Sequence, residues 1–197
     1  METSEEERDL RVMIRSDLKP SSHCLKACKK AKQVLGQISR VYHYRTKEII
    51  GSLFKTYVRP HLEYASVVWN PWLRKGIDEM EKVQARALKL MTDLKGVSYE
   101  EKLRDAGLTP LYIRRKRADL KEVYKVLNGL INVEESRWFV TVLRFVTVRA
   151  TRQTTRIDEG REVRRVTLVV PRSRLEVGRN FFSTRAAQEW NNQWINT

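Results

Sequence analysis

Two prolines limit how this chain can fold more than any other feature, and both lie in the run from Tyr57 to Trp72, YVRPHLEYASVVWNPW. Ahead of it, Ile49, Ile50, Leu53, Phe54, Tyr57 and Val58 recur at helical spacing, and Thr46 with Glu48 opens the pattern. This predicts a helix over 47–58. Pro60 has no amide donor and disfavours the helical conformation at Arg59. The helix is therefore expected to stop there. His61 to Trp69 either restarts as a helix or runs extended, and Asn70-Pro71 reads as a turn.

The flanking segments are mostly helical in pattern. Asp9 to Arg15 alternates, with Leu10, Val12 and Ile14 on one side of a short strand, after a polar and frayed 1–8. Leu25, Cys28, Ala31, Leu35, Ile38 and Tyr42 step by three and four, predicting a helix over 22–42. A third helix over 75–92 buries Ile77, Met80, Val83, Ala87, Leu90 and Met91. Ser98 and Glu101 have capping-box spacing for a short helix, 98–106. Pro110 suits the first turn of a helix over 110–128, with Asn128-Gly129 as its stop. Residues 140–148 and 163–170 are β-branched and predict paired strands around a polar 149–162. A last amphipathic helix runs from Phe181 to Trp190, and Phe181, Phe182 and Trp190 are expected to fasten it. The predicted fold is mainly α: a bundle of about five helices, a short N-terminal strand, and a small β-containing basic tail.

The 197 residues suit one domain, or one domain with a tail, and the net charge is +15. Such a balance points to polyanionic partners, nucleic acid before acidic membrane. From Ser136 to Arg185 the chain carries twelve arginines, no lysine and four acidic residues. The cysteines, Cys24 and Cys28, make no disulfide framework. One helical turn apart, they read as small apolar core groups; His23 beside them invites zinc, but no CxxC knuckle accompanies it. This usage suits a reducing, intracellular setting, nucleus or cytoplasm. The N-terminal METSEEERDL is acidic and lacks an apolar signal core, and no apolar run reaches the ~18 residues of a membrane span.

Four blocks, VRPHLEYASVVWNPW, IDEMEKVQARALKL, YEEKLRDAGLTPLYIRRKRADL and EVYKVLNG, occur in that order, with PRSRLEVGRNFFSTRAAQEWNNQW after them. Together they resemble the region downstream of the catalytic core in reverse transcriptases of non-LTR, LINE-type (jockey- and CR1-like) retrotransposons. The resemblance covers roughly residues 9–192. It departs at 139–148, which is unusually apolar, and at the end, where the family's Leu-Pro is absent. It implies an end-of-palm segment at 1–19, a helical thumb-like domain at 20–131 (the thumb itself being 20–92), and an Arg-rich post-thumb region at 132–197. In the family, the thumb lies along the minor groove of the template–primer duplex and touches backbone rather than bases.

Polymerase chemistry needs clustered carboxylates that hold two divalent metals about 4 Å apart. No Asp-Asp pair occurs here, and the seven aspartates are scattered. By resemblance, the chain begins downstream of the active site, and Mg is expected only in the absent palm. No cofactor is expected in this chain, and it is not expected to polymerise alone. The P-loop, G-x-S-x-G and G-x-G-x-x-G are also absent.

Binding is the better-supported function. The candidate contacts are Lys26, Lys29 and Lys30 on the first long helix; Arg59; Arg114, Arg115 and Arg117 within RRKR; and Arg164, Arg165, Arg172, Arg174 and Arg179 in the tail. Lys and Arg neutralise phosphates and release counterions without sequence choice. The bland reading stands beside each cluster: helix-one lysines also make a solvated face, and RRKR turns through a whole helical circumference. Tyr57, Tyr64, Trp69 and Trp72 can stack on bases or anchor a core. Expected partners are an RNA–DNA hybrid or RNA, and the palm and fingers of the polymerase. The alternative is a degenerate retroelement remnant or a protein-interaction module, with an exposed apolar surface prone to association.

Overall fold

The computed structural model describes residues 5–134, 137–147 and 162–193. They divide into two compact units, 1–118 and 119–197. The boundary falls inside a continuous helix, Leu111–Leu127.

The first unit opens with a hairpin rather than a lone strand. β1 (Glu6–Asp9) pairs antiparallel with β2 (Val12–Arg15), in register Glu6↔Arg15 through Asp9↔Val12. Leu10 and Arg11 form the turn with φ of 42° and 69°, the double positive φ of a type I′ hairpin. The expected strand over 9–15 is thus interrupted by a turn at Leu10 and Arg11, and Leu10 is 80% exposed. β1 reads EERD, with no apolar residue to betray it; its order comes from the backbone ladder.

α1 (Ser21–Val41) follows, burying Cys24, Ala27, Cys28, Ala31, Leu35 and Ile38. Leu25, expected on that stripe, is 56% exposed. α2 (Lys47–Leu53) starts at Thr46, whose hydroxyl accepts from the Ile49 N–H. Pro60 does not end the helical run. A π turn (Phe54–Val58) intervenes, in which the Arg59 N–H donates to the Phe54 carbonyl, and α3 (Arg59–Glu63) continues with Pro60 in its first turn. The π turn moves the carbonyl ladder by one residue, which accommodates both the ring and the missing donor. Arg59 is helical at φ −57° and ψ −38° despite the proline after it.

α4 (Ser66–Trp69) is short, and α5 (Arg74–Leu90) buries Met80, Val83, Gln84, Ala87 and Leu88. α6 (Tyr99–Asp105) has the complete Ser98–Glu101 capping box. α7 (Leu111–Leu127) crosses the unit boundary. The core of the first unit lies among α1, α2, the π turn and α5, around Leu35, Ile50, Phe54, Val58, Leu62, Met80 and Leu88. Each such side chain contributes about 1.5–3 kcal/mol by leaving water. Ile49 and Tyr57, predicted apolar-face residues, are exposed.

In the second unit, β3 (Thr141–Thr147) and β4 (Glu162–Leu168) pair antiparallel as predicted, from Thr141↔Leu168 to Thr147↔Glu162. Most of the polar segment between them lies outside the described residues. α8 (Glu176–Arg179) precedes α9 (Phe182–Gln193). Asn191 bonds both backbone groups of Leu168, at 3.0 and 2.8 Å, and Trp190 Nε1 donates to the Val166 carbonyl. Arg185 forks onto Asp119 at 3.0 and 3.1 Å and lies over the Phe182 ring. Phe182 meets Trp138 and Phe139 edge-on, while Phe181, also expected to fasten the helix, is 56% exposed.

Candidate nucleic-acid interface

A cleft of about 690 Å³ opens in the first unit between the hairpin, α1 and α3. The hairpin supplies Arg8 and Arg11; α1 supplies Lys26, Lys29 and Lys30; His23, His61 and Tyr64 complete the part that matters chemically. The lining contains no carboxylate. Arg8, Arg11, Lys29 and Lys30 form no ion pair among the described residues, and Lys26 Nζ lies 3.2 Å from Met13 Sδ. Their spacing follows from the elements. Lys26, Lys29, Lys30 and Gln33 recur at three and four on α1, so they share the face opposite Leu35 and Ile38.

The hairpin is held to this site at two points. The Met13 N–H donates to His23 Nδ1 at 3.1 Å, and the Tyr64 hydroxyl donates to the Leu10 carbonyl at 3.2 Å. His23 packs on Trp69, ring centroids 4.5 Å apart, and Trp69 Nε1 donates to the Tyr64 carbonyl at 2.7 Å. Burial, helped by nearby Lys26, lowers the His23 pKa from its ordinary value. The Met13 bond requires a bare Nδ1, which fixes a neutral ring as the Nε2–H tautomer.

The structure separates the sequence-predicted contacts. Lys26, Lys29 and Lys30 are exposed and gathered at the cleft. Lys32, next in that run, is bound to Glu79 at 3.0 Å. Glu79 also accepts from Lys82 at 2.7 Å, and the hydrogen bonds from Lys82 and Lys32 hold its carboxyl at about 2. Arg59 and Arg114 share one carboxylate, Glu63: Arg59 at 3.7 Å, Arg114 through a two-pronged pair. Hydrogen bonding to Glu63 raises the Arg114 pKa.

Arg115 does not face solvent. It is 2% exposed, its Nε donates to Asn70 Oδ1 at 3.1 Å, and its Nη1 has no partner. Burial lowers its pKa, opposed chiefly by Glu81. Arg117 is exposed. RRKR is therefore divided by the helix itself, one side to Glu63, one to the core, one to water.

In the second unit, Arg172 and Arg174 are exposed on the loop before α8. Arg179 is exposed but donates to the Ser173 and Arg174 carbonyls, at 3.3 and 3.0 Å, so it shapes that loop. Arg164 and Arg165 sit in β4 opposite Phe145 and Arg144; their side chains lie outside the description.

Sequence reasoning offered Tyr64 as a stacking residue but missed Arg8, Arg11, His23 and His61 as cleft residues. Their signal is tertiary: β1, which carries no apolar residue, folds back with β2 beside α1 and α3. Of the four aromatics, Trp69 is core at 3% exposure, whereas Tyr57 and Tyr64 are 57% and 52% exposed. Cys24 and Cys28 are buried; burial pushes the Cys24 thiol up to about 12 and raises Cys28 as well. Both are held as protonated thiols, a poor state for a ligand or nucleophile. Among the described residues, no group of three or more His, Cys, Asp and Glu is placed to hold a metal. No described helix is long and apolar enough to cross a membrane.

Comparison with protein-family models, with curated proteins and with solved structures finds no match for this chain.

Proposed function

We propose that this chain binds nucleic acid through its phosphate backbone, as the thumb and post-thumb part of a LINE-type reverse transcriptase, a grip without the metal-binding carboxylates of polymerisation. The observation that carries this reading is the cleft: Arg8, Arg11, Lys26, Lys29 and Lys30 converge there with no carboxylate among them. Elsewhere in this unit, Lys32, Arg59, Arg74, Lys82 and Arg114 are matched to acids. Unmatched cations gathered in a concavity raise the local potential and attract an extended polyanion. The exposed Arg172 and Arg174 supply a second basic surface. Backbone contacts suit an RNA–DNA hybrid or RNA, recognised by shape rather than by sequence. The partner that supplies catalysis is the polymerase portion bearing paired aspartates and Mg.

The test is binding of the purified chain to an RNA–DNA hybrid, duplex DNA and single-stranded RNA across a salt series, with Lys26, Lys29 and Lys30 each changed to Gln. Binding that weakens with salt and with these changes supports the reading. Binding indifferent to all three lysines, or to none of the three nucleic acids, overturns it. Primer extension by the chain alone would overturn the non-catalytic part.

A further inference from the structure

We propose that the cleft seats a single-stranded segment, with one unpaired base stacked on Tyr64 while its flanking phosphates meet Arg8, Arg11 and Lys30. This rests on the nucleic-acid reading above and names the strand state that the site takes. Three observations carry it. The cleft's 690 Å³ is the scale of a small-molecule site, about 300–1,000 Å³. It admits individual nucleotides, whereas a duplex can only lie across its mouth.

Second, the lining mixes cations with rings. Tyr64 and His61 stand among the basic residues, which is the composition of a site that both neutralises a backbone and stacks a base. A site for phosphates alone needs no ring. Third, Tyr64 is prepared for the task. It is 52% exposed, yet its hydroxyl is tied to the Leu10 carbonyl and its own carbonyl to Trp69. A ring exposed to solvent and held at both ends loses little freedom when a base packs on it.

The experiment uses the full chain, a base-bearing 12-nucleotide single strand, the same strand made abasic, and a blunt duplex of equal length, at one salt concentration. The inference predicts that the base-bearing strand binds about tenfold tighter than the abasic one, as base–aromatic stacking does elsewhere. Tyr64→Ala should erase that difference and Tyr64→Phe should keep most of it, since the ring persists but loses its tie to Leu10. Circular dichroism confirms that each variant is folded; should Tyr64→Ala unfold, the wild-type comparison of base-bearing with abasic strand decides alone. Equal binding of the two strands by the wild type overturns the inference. If that equal binding still falls with Lys26, Lys29 and Lys30 changed to Gln, the nucleic-acid reading survives and only the stacking fails. If those changes leave every binding constant unaltered, both fail.

Discussion

Arg115 and Arg117 lie two positions apart in one helix, and the fold gives them opposite work. Arg115 is buried against Asn70, so Arg115→Ala removes a bonded group and opens a cavity. It should cost about 2–4 kcal/mol in urea denaturation. Arg117→Ala, at an exposed position, should stay within about 0.5 kcal/mol. His23 offers a pH-dependent counterpart. Burial lowers its pKa, so the folded state favours the neutral ring that accepts from Met13. That contribution is complete above the ordinary histidine value of about 6.5 and is lost as pH falls through the lower folded value. Thermal midpoints should therefore drop between about pH 7 and pH 5 more in the wild type than in His23→Gln, which keeps an acceptor that does not titrate. Parallel curves would contradict the account. None of this is visible in a linear reading. RRKR looks uniform as letters, and only the rotation of α7 against Glu63 and Asn70 distinguishes its members.

At the scale of elements, helices were legible because period, caps and breakers agreed. The Ser98–Glu101 box and the Gly129 stop, at φ 63°, are local chemistry and stand where the sequence puts them. Pro60 misled because its penalty is local, whereas the π turn that absorbs it is supported by the burial of Phe54, Val58 and Leu62 on either side. The hairpin was half legible: Val12 marks β2, but nothing in EERD marks β1. Its turn carries a conflict with a measurable consequence. Leu10 and Arg11 both hold positive φ, a conformation that costs an ordinary residue about 1–2 kcal/mol. Arg11→Gly should therefore stabilise the chain by up to about 1 kcal/mol in urea denaturation. The same change removes a cleft cation, and should reduce the salt slope of binding by about one. Stability gained with binding unchanged would remove Arg11 from the site.

Across the molecule, the excess charge is not a uniform coat. Part of it is matched by Glu63, Glu79 and Asp119, and part converges, unmatched, on the cleft of the first unit. The sequence displays the total and the Arg-rich tail plainly. It hides the convergence, because Arg8 and Arg11 reach α1 only after the hairpin folds back. The central claim is that these cations grip a phosphate backbone, and the salt dependence of binding tests it most directly. With five cleft cations engaged, log K against log salt on single-stranded RNA should have a slope of about −3 to −4. The Lys26, Lys29 and Lys30 to Gln triple variant should reduce it by about two. A slope near zero in the wild type, or one that the triple variant leaves unchanged, would contradict the account.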